Sequence, residues 1–345
     1  MMALAIASSA SAQERVLVSG EVTCRDCRIV LDTVVTIGGL DGPGRHLIST
    51  ASHVAVDARG RILVGDRRLP EIAVFDADGE FLRMVGRAGE GPGEYQFISM
   101  TSPGPRFIHV FDYGGRTVLD YDFNVVRRDR FGGQVMAAVV TKSGDVIFNA
   151  DVGTPDAIGH KFHVLGPAGE MESFGGSDSV SVGRSSDFFD LATGGVNTFW
   201  TLGTYANVVT RWELQPEPRV ASVFVRDVEV FEKDHTNRGR FPNSGNTGVM
   251  LDDSGLWVVW RAPDPAWTHR MVPRSDDGGL YDAPPQVWLD GWVDVLDPST
   301  GHTIARLQRD EHLRGFANGS RYIVSYRETE AGVPYISLLN PRLVR

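Results

Sequence analysis

Lysine is nearly missing from this chain. Among 345 residues only Lys142, Lys161 and Lys233 are Lys, and almost all the other basic side chains are Arg. Asp and Glu number 44 against 34 Lys and Arg, a formal charge of -10. Such a balance argues against non-specific nucleic-acid binding, which needs a basic surface. No uncharged apolar run reaches the roughly 18 residues of a membrane-spanning helix. Two Cys are too few for a scaffold built on disulfides. Catalytic signatures are scarce as well. There is no Gly-x-Ser-x-Gly elbow and no Gly-Lys-Ser/Thr loop. With 42% hydrophobic and 23% charged residues, the chain is nonetheless too apolar for a disordered protein.

What is abundant is β-structure punctuated by turns. The best unit reads VAVDARGRILVGD (Val54 to Asp66) and then IAVFDADGEFLRMVG (Ile72 to Gly86). Apolar residues alternate with period two, and Gly, Asp and Asn fill the gaps, which predicts strands joined by hairpins. The first hairpin recurs, giving six with turns near Gly60, Gly104, Gly144, Gly195, Gly255 and Gly319. Six units of about 40 to 60 residues, each a small antiparallel sheet, predict an all-β, six-bladed β-propeller of four-stranded blades. The last unit lacks an outer strand, and the N-terminus has a spare one, RIVLDTVVTIG (Arg28 to Gly38). Pairing the two would close the ring and remove a free sheet edge. Residues 13–345 are therefore expected to form one propeller domain.

Met1 to Ala12 reads MMALAIASSASA, ending Ala10-Ser11-Ala12 before Gln13-Glu14. That is the cleavage end of a secretory signal peptide, although the basic stretch that opens such peptides is lacking. An ordinary frayed terminus is the alternative. Export, periplasmic or beyond the cell, would place Cys24 and Cys27 in an oxidising compartment. A local disulfide is then expected, with two free thiols as the alternative. Redox-active Cys-x2-Cys pairs open a helix, whereas this pair precedes a strand.

Gly89 to Tyr95 (Gly-x-Gly-Pro-Gly-Glu-Tyr) and Val74 to Gly79 (Val-Phe-Asp-x-x-Gly) resemble NHL-repeat propellers. The whole chain resembles the six-bladed propellers that recur among exported bacterial proteins. Trp257 to Pro263 and Leu296 to Gly301 are similar to the C-terminal half of that group. The resemblance implies a fold and a compartment. It implies no activity, because propellers host binding, lyase and lactonase functions alike.

Several chemistries can be weighed on the residues. His160 and His163 have ligand types, but residues three apart on a strand face opposite sides. Amidating lyases with NHL-type propellers use His from several blades, and here only His53 stands at a blade entry. The other entries read Gln134, Asp187, Thr247 and Arg314. Gluconolactonase-like propellers hold a divalent ion through a Glu, two Asn and an Asp. Asn149, Asn207 and Asn246 could reach an axis, but Ser52-His53 stands where that family has its Glu. Neither a metal nor a cofactor is expected.

A binding or interaction module using one channel face is the favoured reading. In a propeller the loops between second and third strands open beside the entries to the first strands. That rim holds His53, Arg67, Tyr113, Arg116, Asn149, Tyr205 and Asn207, then Arg261 and Arg327. An insertion, Arg261 to Pro285, adds Trp267, His269 and Arg270. Arg and aromatic side chains are favoured at recognition sites, and a merely solvated rim is the alternative. The expected partner is a protein or small molecule of the cell envelope, bound by a monomer. The runner-up is a propeller hydrolase or lyase acting on a small anionic or sugar-like substrate.

Overall fold

The structure is a computed structural model. It describes residues 15–39, 48, 51–66, 69–176, 188–229, 244–266, 287–330 and 332–345. The expected signal peptide, Met1 to Ala12, lies outside them. Among the described residues there is no α-helix.

Six antiparallel sheets follow one another along the chain. Blade one runs from Ala51–Val56 through Ile62–Asp66 and Ile72–Phe75 to Phe81–Val85. Blade two comprises Ile98–Pro103, Ile108–Asp112, Gly115–Leu119 and Val125–Arg130. Blade three comprises Val135–Val140, Val146–Ala150, His160–Leu165 and Met171–Gly176. Blade four comprises Phe189–Thr193, Thr198–Gly203, Val208–Glu213 and Arg219–Asp227. Blade five comprises Gly245–Asp252, Gly255–Pro263, Leu289–Leu296 and Thr303–Arg309. Blade six has His312–Phe316, Ile323–Glu328 and Pro334–Val344.

The fourth strand of blade six comes from the other end of the chain. Strand β2 (Arg28–Gly38) pairs antiparallel with Pro334–Val344, from Arg28 opposite Val344 to Gly38 opposite Tyr335. The ring is closed as the strand count requires. Strand β1 (Arg15–Ser19) is an addition that the repeat pattern does not contain. It lies parallel to Arg219–Asp227 as a fifth strand of blade four. Between β1 and β2, Thr23 and Cys24 donate backbone hydrogen bonds to Thr303 and Ile304 of blade five. The segment 15–38 is thus a strap across the outer edges of three blades. Its turn holds Cys24 and Cys27, whose sulfurs are bonded.

Six apolar clusters correspond to the six seams between blades. The blade six–one seam holds Ile37, Val54, Phe75 and Ile336, and the three–four seam is aromatic, with Phe162, Phe174, Phe199 and Trp212. Fully burying one such side chain contributes about 1.5–3 kcal/mol, so stacked faces hold the ring together. The Gly89 to Tyr95 motif serves one seam. Tyr95 is fully buried between blades one and two. Its ring fits only because Gly86 has no Cβ, which would lie 2.9 Å from it, and because Gly86 takes φ +92°.

The stretch from Arg226 to Asn246, polar in sequence, begins and ends within strands. Arg226 ends a strand and is 2% exposed, while Gly245 and Asn246 open blade five. The alternation in this stretch is interrupted by Arg, which hides a strand whose charged side chain has a buried partner.

Candidate functional site

The innermost strands surround a channel, and several carry polar residues near their starts, such as His53, Asp190, Asn246 and His312. In five blades the pairing of the first two strands shifts near the start of the inner strand, as between Ala51 and His53 or Asn246 and Gly248. Such bulges free backbone groups from the ladder, and buried groups of that kind need partners. The neighbouring blade supplies them. His53 Nε2 lies 3.0 Å from Thr101 Oγ1. Ser102 Oγ donates to the Ala138 carbonyl at 3.1 Å. Asn149 Oδ1 accepts from the Phe189 amide at 3.2 Å, and Asn246 Nδ2 donates to the Gly203 carbonyl at 2.7 Å. Thr247 Oγ1 donates to the Leu313 carbonyl at 3.3 Å. Asn318 bonds through its backbone to Val54 and Val56. Every seam therefore carries a polar tie beside the channel.

These ties decide where the sequence-named residues stand. His53 and Asn149 are buried and spent on seams, and the His53 ring lies so close over Gly65 that a Cβ there would meet it at 1.9 Å. Asn207 Oδ1 accepts from buried Arg226, which in turn pairs with Asp294 of blade five. Arg116 is buried in the wall of blade two, paired with Asp129 at 2.6 Å. Arg327 reaches buried Glu311 at 3.3 Å. Tyr113 is exposed at a loop tip, Tyr205 is half-buried in blade four, and Arg261 is half-buried at the end of a blade-five strand. Arg67, Trp267, His269 and Arg270 lie outside the described residues, as does most of the insertion. His160 and His163 are on a strand. His163 is spent on Ser173 Oγ at 2.8 Å and the Ala150 carbonyl at 3.1 Å.

The channel itself contains a cavity of about 670 Å³. It runs from Met100, Asp190 and Thr247 at its inner end to the turns at Pro103–Pro105, Asp252 and Gly319–Arg321. Those turns lie at the opposite end of the ring from the rim that the sequence singles out. Val139, Leu191, Val249 and Leu251 make much of the wall apolar. Asp190 stands out against it. Burial raises its carboxyl to about 7, with Arg261 pulling the other way. Its charge therefore changes near neutral pH. His312, which opens the inner strand of blade six, is 5% exposed, and neither ring nitrogen has a hydrogen-bond partner among the described residues. Burial, then Arg314 and Arg261, lower its pKa to about 2, so it is neutral. Asp190 sits between apolar Phe189 and Leu191, and that lone acid in an inner strand is the signal by which sequence reasoning could have found it.

A second acidic feature lies at the base of the insertion. Carboxylate oxygens of Asp264, Asp290 and Asp310 gather within 4.8 Å of one another. Burial and the two neighbouring carboxylates raise the Asp290 pKa, while Gln308 Nε2 donates to it at 2.6 Å.

Residues 6–151 match the family described as "6-bladed beta-propeller". The chain is a six-bladed β-propeller. No curated protein matches the sequence. Solved structures share the propeller with low identity. One is a protein from Bacteroides fragilis named as a candidate exported protein, with TM-score 0.59, 12% identity, and 96% of this chain and 100% of that one covered. Another, a member of the duf4221 family from Bacteroides vulgatus, has TM-score 0.58, 10% identity, and 92% and 99% covered. A luciferin-regenerating enzyme has TM-score 0.50, 8% identity, and 85% and 92% covered. At such identities the likeness shows the fold of this propeller alone.

Proposed function

We propose that this propeller is an exported binding module that takes a small, largely apolar ligand into its central channel from the turn face. The cavity of about 670 Å³ carries the proposal. It falls in the range of roughly 300–1,000 Å³ typical of small-molecule sites, and it joins apolar walls to a few polar groups. Asp190, Thr193 and Thr247 are among those groups, with Asp252, Asn318 and Arg321 toward the turns. Export is supported by the Ala10-Ser11-Ala12 cleavage pattern and by the Bacteroides fragilis relative named for it. Nile red, a neutral apolar dye, tests the channel. It should bind saturably at one site, and Thr193→Trp should weaken it at least tenfold without changing the melting temperature. Absence of saturable binding, or equal binding by the variant, would overturn the reading. Fractionation of expressing cells tests export.

Asp190 favours a second reading, a hydrolase or lyase acting on a small anionic or sugar-like substrate. A carboxyl poised near 7 can both take and give a proton at neutral pH. Turnover in a panel of lactones and activated esters, lost in Asp190→Asn, would support it. A panel without turnover leaves binding as the function.

A further inference from the structure

A second cavity, of about 270 Å³, lies between blades two and three, behind Gly104, Pro105 and Val140, which it shares with the channel lining. Turns Gly104–Phe107 and Lys142–Gly144 border it, and Arg127 of blade two donates through Nη1 to the Pro167 carbonyl of blade three, leaving Nη2 for a ligand. Its charge is unusual for this acidic chain. Arg116, 1% exposed, places Nε and Nη2 on Asp129 Oδ2 at 2.9 and 2.6 Å. Arg127 Nε lies 3.0 Å from the other oxygen of the same carboxylate. One Asp therefore serves two guanidiniums. Buried His109, 3.4 Å from Arg116 Nη1, offers no compensation. Burial, then Arg116 and Arg127, lower its pKa to about 3, so the ring is neutral.

Arg106 and Lys142 add two exposed cations at the border, and neither has an ion-pair partner among the described residues. Lys142 is one of only three Lys in the chain. Glu170 is the further carboxylate whose field reaches Arg116. Asp145, which accepts from Ser143 Oγ at the border, is a third, so four cations stand against three carboxylates. The rest of the lining is largely apolar, with Phe107, Val118, Val126 and Val140. A buried guanidinium that shares its carboxylate is a strong donor for a further oxyanion, because the surrounding medium screens it weakly.

We propose that this pocket between blades two and three binds a small organic anion, a carboxylate or phosphate head on an apolar body. The head would meet the Arg116–Arg127–Lys142 side, and the body would lie against Val118 and Val126.

Calorimetric titration of the full chain with benzoate, phenyl phosphate and benzyl alcohol tests it. At least one anion should bind at a single site, and benzyl alcohol should not. The two anions show which head the pocket prefers. Arg106→Gln combined with Lys142→Gln removes exposed charges, so the fold should stand while affinity falls about fivefold, as two rim charges allow. Val126→Trp, at a wall residue 54% exposed, should also weaken binding by narrowing the pocket. Nile red binding in the channel should be unchanged in both variants. Lack of saturable binding by either anion, equal binding of benzyl alcohol, or unchanged affinity in both variants would overturn the proposal.

Discussion

Removal of β2 is expected to open the ring. A chain beginning at Gly39 lacks the outer strand of blade six. It loses Ile29, Val35 and Ile37, which are 7%, 9% and 1% exposed. Ile29 packs in the blade five–six core and the other two in the blade six–one core. At about 1.5–3 kcal/mol for each buried side chain, the loss is about 5–9 kcal/mol. That figure is an upper estimate, since unfolded chains already bury part of this surface. It is still comparable with the whole stability of a typical domain, about 5–15 kcal/mol. A chain beginning at Arg28 is the control. It keeps β2 and loses β1, whose Val18 alone is buried, at a cost of about 2 kcal/mol. Urea unfolding followed by tryptophan fluorescence reads the difference, because buried Trp257 lies in the same core as Ile29. The shorter chain should unfold at a midpoint lower by more than about 1 M, or fail to fold. Equal midpoints for the full chain and the chain beginning at Gly39 would refute the closure argument.

Asp294→Ala should cost about 3–5 kcal/mol in thermal or urea unfolding, because it strands fully buried Arg226 and removes the partner of Arg306 and Trp260 Nε1. Arg226→Met should cost less, since Asp294 keeps those two partners. Replacing both Cys24 and Cys27 by Ser should cost no more than about 2 kcal/mol, because the bond spans a sequence separation of only three. Asp190 should make stability fall as pH rises. Its folded pKa, about 7, lies above the ordinary carboxyl value, so the folded state holds the proton longer than the unfolded state does. The contribution is full below about pH 4 and is lost progressively up to about pH 7. Asp190→Asn should flatten that part of the profile in unfolding measured from pH 4 to 8, and an unchanged slope would contradict the raised pKa.

The ring was legible because its signals are local. Gly60, Gly104, Gly144, Gly195, Gly255 and Gly319 all fall at the turns between first and second strands. Period-two alternation and turn chemistry act over a few residues, so one unit predicts the next. Closure was legible by counting strands. β1 was not. Its alternation in Arg15-Val16-Leu17-Val18-Ser19 marks a strand, but nothing nearby says that it joins an edge more than 200 residues away, as Arg15 does opposite Val223. The fully buried Arg226 was hidden for a similar reason. Its carboxylate partner Asp294 is 68 residues further on.

The site was less legible, because the same residue types serve seams and ligands. A polar residue at a blade entry reads alike whether it faces the channel or a neighbouring blade. The choice rests on contacts 48 residues apart for His53 and Thr101, 40 for Asn149 and Phe189, and 66 for Thr247 and Leu313. Once the ring closes, the seams claim the side chains of His53, Asn149 and Thr247. The short turns at Gly104, Asp252 and Gly319 line one end of the channel cavity. Asp190 then gains its character from what surrounds it. An acid among apolar neighbours is unremarkable on a solvated strand, but within a channel wall burial alone brings it to the edge of neutrality.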